Sequence, residues 1–417
     1  MTKTVFTKLM SAILAGALLT LALLSCGITA NAADLMKKIE APEVSGKPAD
    51  EKFLSAMADF SLNLYCQSSI SCSDGNNFLI SPVSAAAALG MTANGADGNT
   101  KAQFETLFGL SADDMNRYML PYLDSLAAND KGIKLSIADS IWFDTGLTVD
   151  SEFLAVNKAY YRAQMYQASF SDSKTVDELN RWVKTNTDGM IDKLLEVFPT
   201  NAVMCLVNAV CFDAEWDKKY EKSDVHDGNF YNLSGSTSAV SFLHSTEHRY
   251  IETSDGTTGM MKYYKGGKYA FVAFLPAEGI NIHDFIAELD GETFLSLCKN
   301  AKYSSVNVKL PKFQYDCDMS LEEPLIALGL TDAFGPEADF SGISQFTGLA
   351  IDDVIHKTHI ELDENGTKAA AVTGVIMTET AAEMPEHSVV FDRPFVYAII
   401  DTETNLPLFL GTVTELG

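Results

Sequence analysis

The chain has 417 residues, 47% of them hydrophobic and 21% charged, which is the makeup of a globular protein with a sizeable core. Its charge is far from balanced: 30 basic against 56 acidic residues give −26. Such a field repels nucleic acid and anionic membranes, so neither is an expected partner, and its plainest role is to keep the surface solvated.

Lys3 and Lys8 precede an apolar run from Leu9 to Leu24, which reads as a secretory signal and is short for a membrane span. Two processing sites compete. Leu23-Leu24-Ser25-Cys26-Gly27 resembles a lipobox, with residues 1–25 removed and Cys26 lipidated; Ala30-Asn31-Ala32 suits an ordinary signal peptidase. The Cys at the end of the apolar run favours the first. Either way the expected location is extracytoplasmic, at the cell surface or secreted, with membrane contact only through the N-terminal lipid. Residues 26–48 contain Pro42 and Pro48 and no aromatic residue, and read as a tether before a single domain over 49–417.

Phe53, Met57, Phe60 and Leu64 recur at helical spacing. Asn77 to Ile80 is a short apolar run that Pro82 stops, and Ala85 to Met91 forms a small-residue buried helix. Leu135–Phe143 reads as a buried strand, and 151–168 and 174–195 as helices. From Ala202 the pattern turns to strands at Met204–Phe212, Tyr269–Leu275, Val306–Leu310 and Val389–Ile400. Helices first and strands later, without repeats, predict an α+β fold with a large, mostly antiparallel sheet. Cys66 and Cys72 are close enough in sequence to bridge a turn, Cys205 and Cys211 sit in an apolar run as buried thiols, and the connectivity of the six later cysteines stays open.

Enzymatic readings find little support. Gly342-Ile343-Ser344 lacks the second Gly of a nucleophile elbow, and no phosphate-cradling or dinucleotide motif occurs, so no cofactor is expected. His244-Ser-Thr-Glu247-His248 matches the spacing of an inverted zinc-peptidase motif, but its flanks alternate as strands do. Residues four apart in a strand are about 13 Å apart, too far to share one zinc, and no metal is expected. His356 lies in an apparent strand leading into Glu364-Asn365-Gly366-Thr367-Lys368-Ala369-Ala370-Ala371-Val372-Thr373. There an acidic turn opens onto small and β-branched residues that favour extended backbone where a loop is expected.

These blocks carry a family resemblance. Asn77 to Ser84 with Ser81-Pro82-Val83-Ser84, Leu206 to Phe212 followed by Trp216, Asp353-Val354-Ile355-His356-Lys357, Leu328 to Phe334 with Ala338 to Ile343, Val390-Phe391-Asp392-Arg393-Pro394-Phe395 and Pro407 to Gly411 stand in the order found in serpins. The chain resembles secreted or lipoprotein-type bacterial inhibitory serpins from about residue 50 to 417. The resemblance implies a serpin-like fold with an exposed reactive loop at about 364–388 and a hinge at Glu364, Gly366, Thr367, Ala369, Ala370 and Ala371. It also implies a polar shutter of Ser81, Ser84, Asn208 and His356, with Trp216 in the breach above it. The implied function is inhibition of serine proteases as a suicide substrate: cleavage, acyl-enzyme trapping and loop insertion, by a monomer that is not itself an enzyme.

Read by alternating face, Thr367, Ala369, Ala371, Thr373, Val375 and Met377 are small or apolar throughout, as an inserting strand requires of its inward set. Lys368 and Val372 fall on the other set. A count from Gly366 by the family pattern places the scissile bond at Thr380-Ala381; counting back from the Phe391 block moves it to Glu383-Met384, and Met377-Thr378 is an earlier option. No Lys or Arg occurs between Gly374 and Met384, so elastase-like or subtilisin-like targets are expected and trypsin-like ones are not. The alternative is a non-inhibitory binding or surface protein on the same fold.

Overall fold

The computed structural model describes residues 32–72, 75–127, 132–199, 202–346, 348–367 and 385–417. Within them lie a seven-stranded sheet, a nine-stranded sheet and a set of helices contributed mainly by the first half of the chain. The seven-stranded main sheet runs Ala33–Asp34, Gln164–Ala168, Ile133–Asp144, Met204–Glu215, Gly366–Thr367, Val354–Leu362, Phe313–Ser320. Most neighbours are antiparallel. The exceptions are Ile133–Asp144 with Gln164–Ala168, and Met204–Glu215 with Val354–Leu362.

The side-chain period of two decides the layering. Along Met204–Glu215, Leu206, Val210, Phe212 and Ala214 join the main core between the sheets, while Val207, Ala209 and Cys211 face the opposite side. That outer face is covered by the helix Ser173–Asn186, whose Val176, Leu179 and Val183 recur at helical spacing. Beneath the inner face lies the helix Pro82–Ala93, every residue of which is buried. Its small residues let it pass close under the sheet. At Gly90 an added Cβ would stand 2.4 Å from the Tyr161 hydroxyl, so a larger residue would force that ring to shift.

Several sequence expectations shift. Pro82 does not stop a segment; it occupies the first turn of the helix, where its missing N–H leaves no bond unmade. The stretch 151–168 divides into the helix Ser151–Tyr161 and the strand Gln164–Ala168, because the left-handed Arg162 ends the helix and Met165 and Ala168 then bury themselves as sheet residues. The second helix ends at Asn186 rather than 195, and Val389–Ile400 is two strands, His387–Val390 and Phe395–Asp401, separated at Arg393-Pro394. The reading of 26–48 as a tether also needs revision for its described part. Ala33–Asp34 pairs with Gln164–Ala168, and Lys158 Nζ donates to the Met36 and Ile39 carbonyls, so the segment lies along the domain. Cys66 and Cys72 stand at one end of a single helix, Glu51–Ser71 and its cap, not across a turn. Six residues of helix rise about 9 Å, beyond disulfide reach.

Candidate functional site

The structure brings Ser81, Ser84, Asn208 and His356 together beneath the middle of the main sheet. Asn208 and His356 are in register across the parallel pair Met204–Glu215 and Val354–Leu362, and both are fully buried. Ser81 is the residue before the buried helix and makes no side-chain cap; its hydroxyl donates to the Leu408 carbonyl at 2.7 Å instead. Its backbone N–H donates to His356 Nε2 at 2.9 Å. An amide can only donate, so Nε2 is unprotonated and Nδ1 carries the ring hydrogen. Nδ1 therefore donates to Asn208 Oδ1 at 2.7 Å. The Asn208 amide nitrogen then donates to Ser84 Oγ at 2.5 Å. His356 is neutral in this arrangement, and burial lowers its pKa from 6.5 to about 4.

One member escaped the sequence reading. Asp139, on Ile133–Asp144, is in register with Asn208 and accepts from its amide at 2.8 Å and from Ser84 Oγ at 3.3 Å. Burial pushes its carboxyl up to about 7, against the lowering effect of those two donors. The available signal was parity: Leu135, Ile137, Asp139, Ile141 and Phe143 alternate on one face, and four of the five are apolar. A lone acid on a core-facing stripe needs a partner.

The top of the sheet is built differently. Trp216 is buried, stacks on Tyr264 with ring centroids 4.5 Å apart, and donates from Nε1 to the Asp363 carbonyl at 2.9 Å. Its backbone N–H donates to the Asn365 carbonyl at 2.8 Å, and that of Tyr220 to the Glu364 carbonyl at 3.0 Å. The acidic turn Asp363–Asn365 is thus clipped to the end of Met204–Glu215. Lys312 Nζ pairs with Glu364 at 2.5 Å, and this ion pair holds the Glu364 carboxyl below its usual range. Thr367 is buried, its hydroxyl 2.6 Å from that of Tyr264. Gly366 lies so close to the neighbouring strand that a Cβ would stand 1.9 Å from the Ala214 carbonyl oxygen.

Between these regions the sheet changes its pairing. Leu206 to Val210 pair directly with Val354 to Thr358. Higher up the two strands part, and Gly366–Thr367 enters between them: Gly366 faces Glu215, and Thr367 faces Ala214 on one side and Leu362 on the other. This short segment is antiparallel to both neighbours. Ala369, Ala370, Ala371 and the Thr380-Ala381 bond fall outside the described residues, as does Cys26.

His244, Glu247 and His248 lie in one strand, Thr237–Glu252, so the helical face that a zinc-peptidase motif needs is missing. His244 lies against His226 with the rings tilted at 55°, His248 stacks on Tyr303, and Glu247 pairs with the buried Lys262. Among the described residues no group of three or more His, Cys, Asp or Glu is placed to hold a metal, and no helix is long and apolar enough to cross a membrane.

The family model for Serpin (serine protease inhibitor) matches residues 55–416. The chain belongs to the serpin family. An uncharacterized serpin-like protein of Thermococcus kodakarensis is 31% identical over 88% of this chain and 86% of its own length. The human plasma serine protease inhibitor is 29% identical over 92% of this chain and 94% of its own. Among solved structures, the thermophilic serpin tengpin in its native state superposes with a TM-score of 0.87 at 46% identity, covering 93% of this chain and all of that one; its latent state gives 0.79 at 45%, covering 89% of this chain and all of that one. The serpin family is one of serine protease inhibitors, and the α+β serpin fold expected from the sequence is the fold observed.

Proposed function

We propose that this serpin inhibits serine proteases as a suicide substrate, and that the observation carrying this reading is the changed pairing at the top of the main sheet. Gly366–Thr367 already occupies the first two positions of a strand antiparallel to both neighbours, while the strands below pair in parallel. Extending that strand replaces one parallel ladder with two antiparallel ones. Antiparallel pairing is the more stable per residue, and the loop's backbone groups gain partners they lack in solvent. The closed sheet therefore stores a downhill change that cleavage of the loop releases.

The chemistry belongs to the protease. Its serine attacks the loop, the peptide bond breaks, and an acyl-enzyme forms on the residue before the cut. The freed loop then inserts, carrying the tethered protease about 50 Å if about 15 residues enter at ~3.4 Å each. Distortion of the protease active site at the far end of the sheet stops deacylation. The proposed bond is Thr380-Ala381, within a segment whose small, uncharged residues suit the shallow pocket of elastase-like or subtilisin-like enzymes. Hinge residues Ala369, Ala370 and Ala371 supply side chains small enough to be buried or exposed at little cost. The proposed setting is extracytoplasmic, with the mature chain beginning at Cys26, which mass spectrometry of the N-terminus would test.

Incubation with elastase is expected to give a one-to-one, SDS-stable complex and a released peptide beginning at Ala381. Turnover of the loop without complex would instead favour a non-inhibitory role on the same fold.

A further inference from the structure

The hydrogen bonds beneath the sheet form a directed chain. Ser81 N–H donates to His356 Nε2, His356 Nδ1–H to Asn208 Oδ1, and the Asn208 amide to Asp139 Oδ1 and Ser84 Oγ; Ser84 Oγ in turn reaches Asp139 Oδ1. One end is a backbone amide, which cannot reverse. The other is a carboxyl oxygen, which accepts in either protonation state. Between them sits an amide that is otherwise free to flip. If Asn208 flipped, its NH2 would face His356 Nδ1–H and its oxygen would face the carboxyl oxygen of Asp139, two mismatches at once.

We propose that Asp139 is a positioning residue for loop insertion: in register with Asn208 and His356 across three strands, it fixes the orientation of the Asn208 amide and so the bond that holds the sheet closed. The proposal rests on the insertion reading above and adds a residue to it. The Asn208–His356 bond is a side-chain bond that must break, along with the backbone ladder, when Met204–Glu215 and Val354–Leu362 separate. Head-to-tail polarisation strengthens each link of such a chain.

The arrangement also makes opening respond to protons. Asp139 borders a cavity of about 370 Å³, lined as well by Leu135, Tyr161, Arg162 and Gln164. Charge near it is sparse. The helix Pro82–Ala93 carries no titratable residue, Asn208 is its neighbour on Met204–Glu215, and neutral His356 stands beyond. Arg162, at the end of the helix Ser151–Tyr161, is held by Asp124 of the helix Ala112–Ala127, and Tyr161 is un-ionised because burial raises its pKa. On the proposed opening Asp139 leaves Ser84 of the buried helix, and its carboxyl gains water from the cavity it borders. Because burial raises this group's pKa in the closed sheet, ionisation favours the opened one, and opening speeds up as pH rises through about 7.

The test uses the full-length protein and a synthetic peptide of residues 366–379, whose uptake into the main sheet is followed by native gel and mass spectrometry between pH 6 and 8. The wild type is expected to take up peptide about fivefold faster at pH 8 than at pH 6, the ratio over that interval for a one-unit fall in pKa on opening. Asp139→Asn keeps the shape and an acceptor; its uptake is expected to be slow and flat with pH. Asp139→Ala removes the acceptor and is expected to take up peptide faster than Asp139→Asn at every pH. A flat wild-type profile, or a wild-type rise retained in Asp139→Asn, overturns the proton dependence. Equal rates for the Asn and Ala variants overturn the positioning role. If the wild type takes up no peptide at any pH, the insertion reading itself fails, and this proposal with it.

Discussion

The middle and the top of the main sheet hold the same two strands by opposite means. In the middle, Met204–Glu215 and Val354–Leu362 pair directly, and a directed polar chain from Ser81 to Asp139 runs beneath them. At the top, the strands are already parted by Gly366–Thr367, and the packing is aromatic: Trp216 on Tyr264, with Phe271 edge-on to Trp216 at 6.0 Å. Hydrogen bonds are directional, so the middle is either made or broken. Stacked rings hold over small shifts, so the top tolerates displacements that would break the middle. The contrast describes a sheet that is wedged at one end and latched at its centre.

The largest expected effect breaks the wedge. Thr367→Arg puts a charge where 1% of the residue is exposed, a burial that costs several kcal/mol without a partner. Complex formation with elastase should be abolished while cleavage of the loop persists, as read by SDS gel. Trp216→Ala removes the stack on Tyr264 and the bond to the Asp363 carbonyl. A loss of about 3–5 kcal/mol is expected from a large-to-small change at a buried aromatic, measured by denaturant unfolding. Asn208→Ala breaks the latch and leaves the His356 Nδ1–H without an acceptor. That should destabilise the native state by about 1–3 kcal/mol and speed conversion to an inserted form on warming, followed by native gel.

The latch has a pH signature of two opposed parts. The folded pKa of His356 falls from 6.5 to about 4, so the unfolded chain binds its proton first and stability is lost as pH drops through that window. The folded pKa of Asp139 rises from 3.8 to about 7, so the native state binds more protons and stability is lost as pH rises through that window. Between about 4 and 6.5 the two slopes cancel. In His356→Gln the Asp139 term stands alone, and stability, followed by denaturant unfolding, should fall steadily between pH 4 and 7 by on the order of 2 kcal/mol once partial exposure is allowed for. A profile as flat as the wild type's would show that the wild-type flatness does not come from these two opposed slopes. The smallest effect is Lys312→Ala, which removes a pair whose side chains are 33% and 37% exposed. A loss of about 0.5 kcal/mol is expected, together with faster amide exchange at Trp216 and Tyr220, whose N–H groups bond to the Glu364 turn.

Much of this was legible in the chain, because local chemistry carries it. The alternation at Met204–Phe212, the small residues after Glu364 and the blocks around Ser81, Asn208 and His356 predict the sheet, a segment with strand character and the members of the latch. Other features were hidden. Asp139 is one acid among 56 acidic residues, and only its inward parity on a strand marks it. The strand Gln164–Ala168 was read as helix because its residues also fit a continuing helical pattern, and only pairing with Ile133–Asp144 and Ala33–Asp34 decides otherwise. Residues 32–48 carry only a short apolar set, Leu35, Met36 and Ile39, against the core, and the rest of their anchoring is through the pairing of Ala33–Asp34 and the Lys158 ammonium, to which composition is blind.

By itself the sequence determined the serpin family, the broad succession of helices and then strands, and a run of small and β-branched residues after Glu364, since these depend on side-chain size, branching and order along the chain. Only the tertiary structure decided that Leu206–Val210 would be zipped to Val354–Thr358 while Gly366–Thr367 stands between the same strands above. It also decided that four side chains and one backbone amide from four separate segments would meet in one directed chain. Register between strands distant in sequence is set by the packing of the whole core, and no local residue preference encodes it.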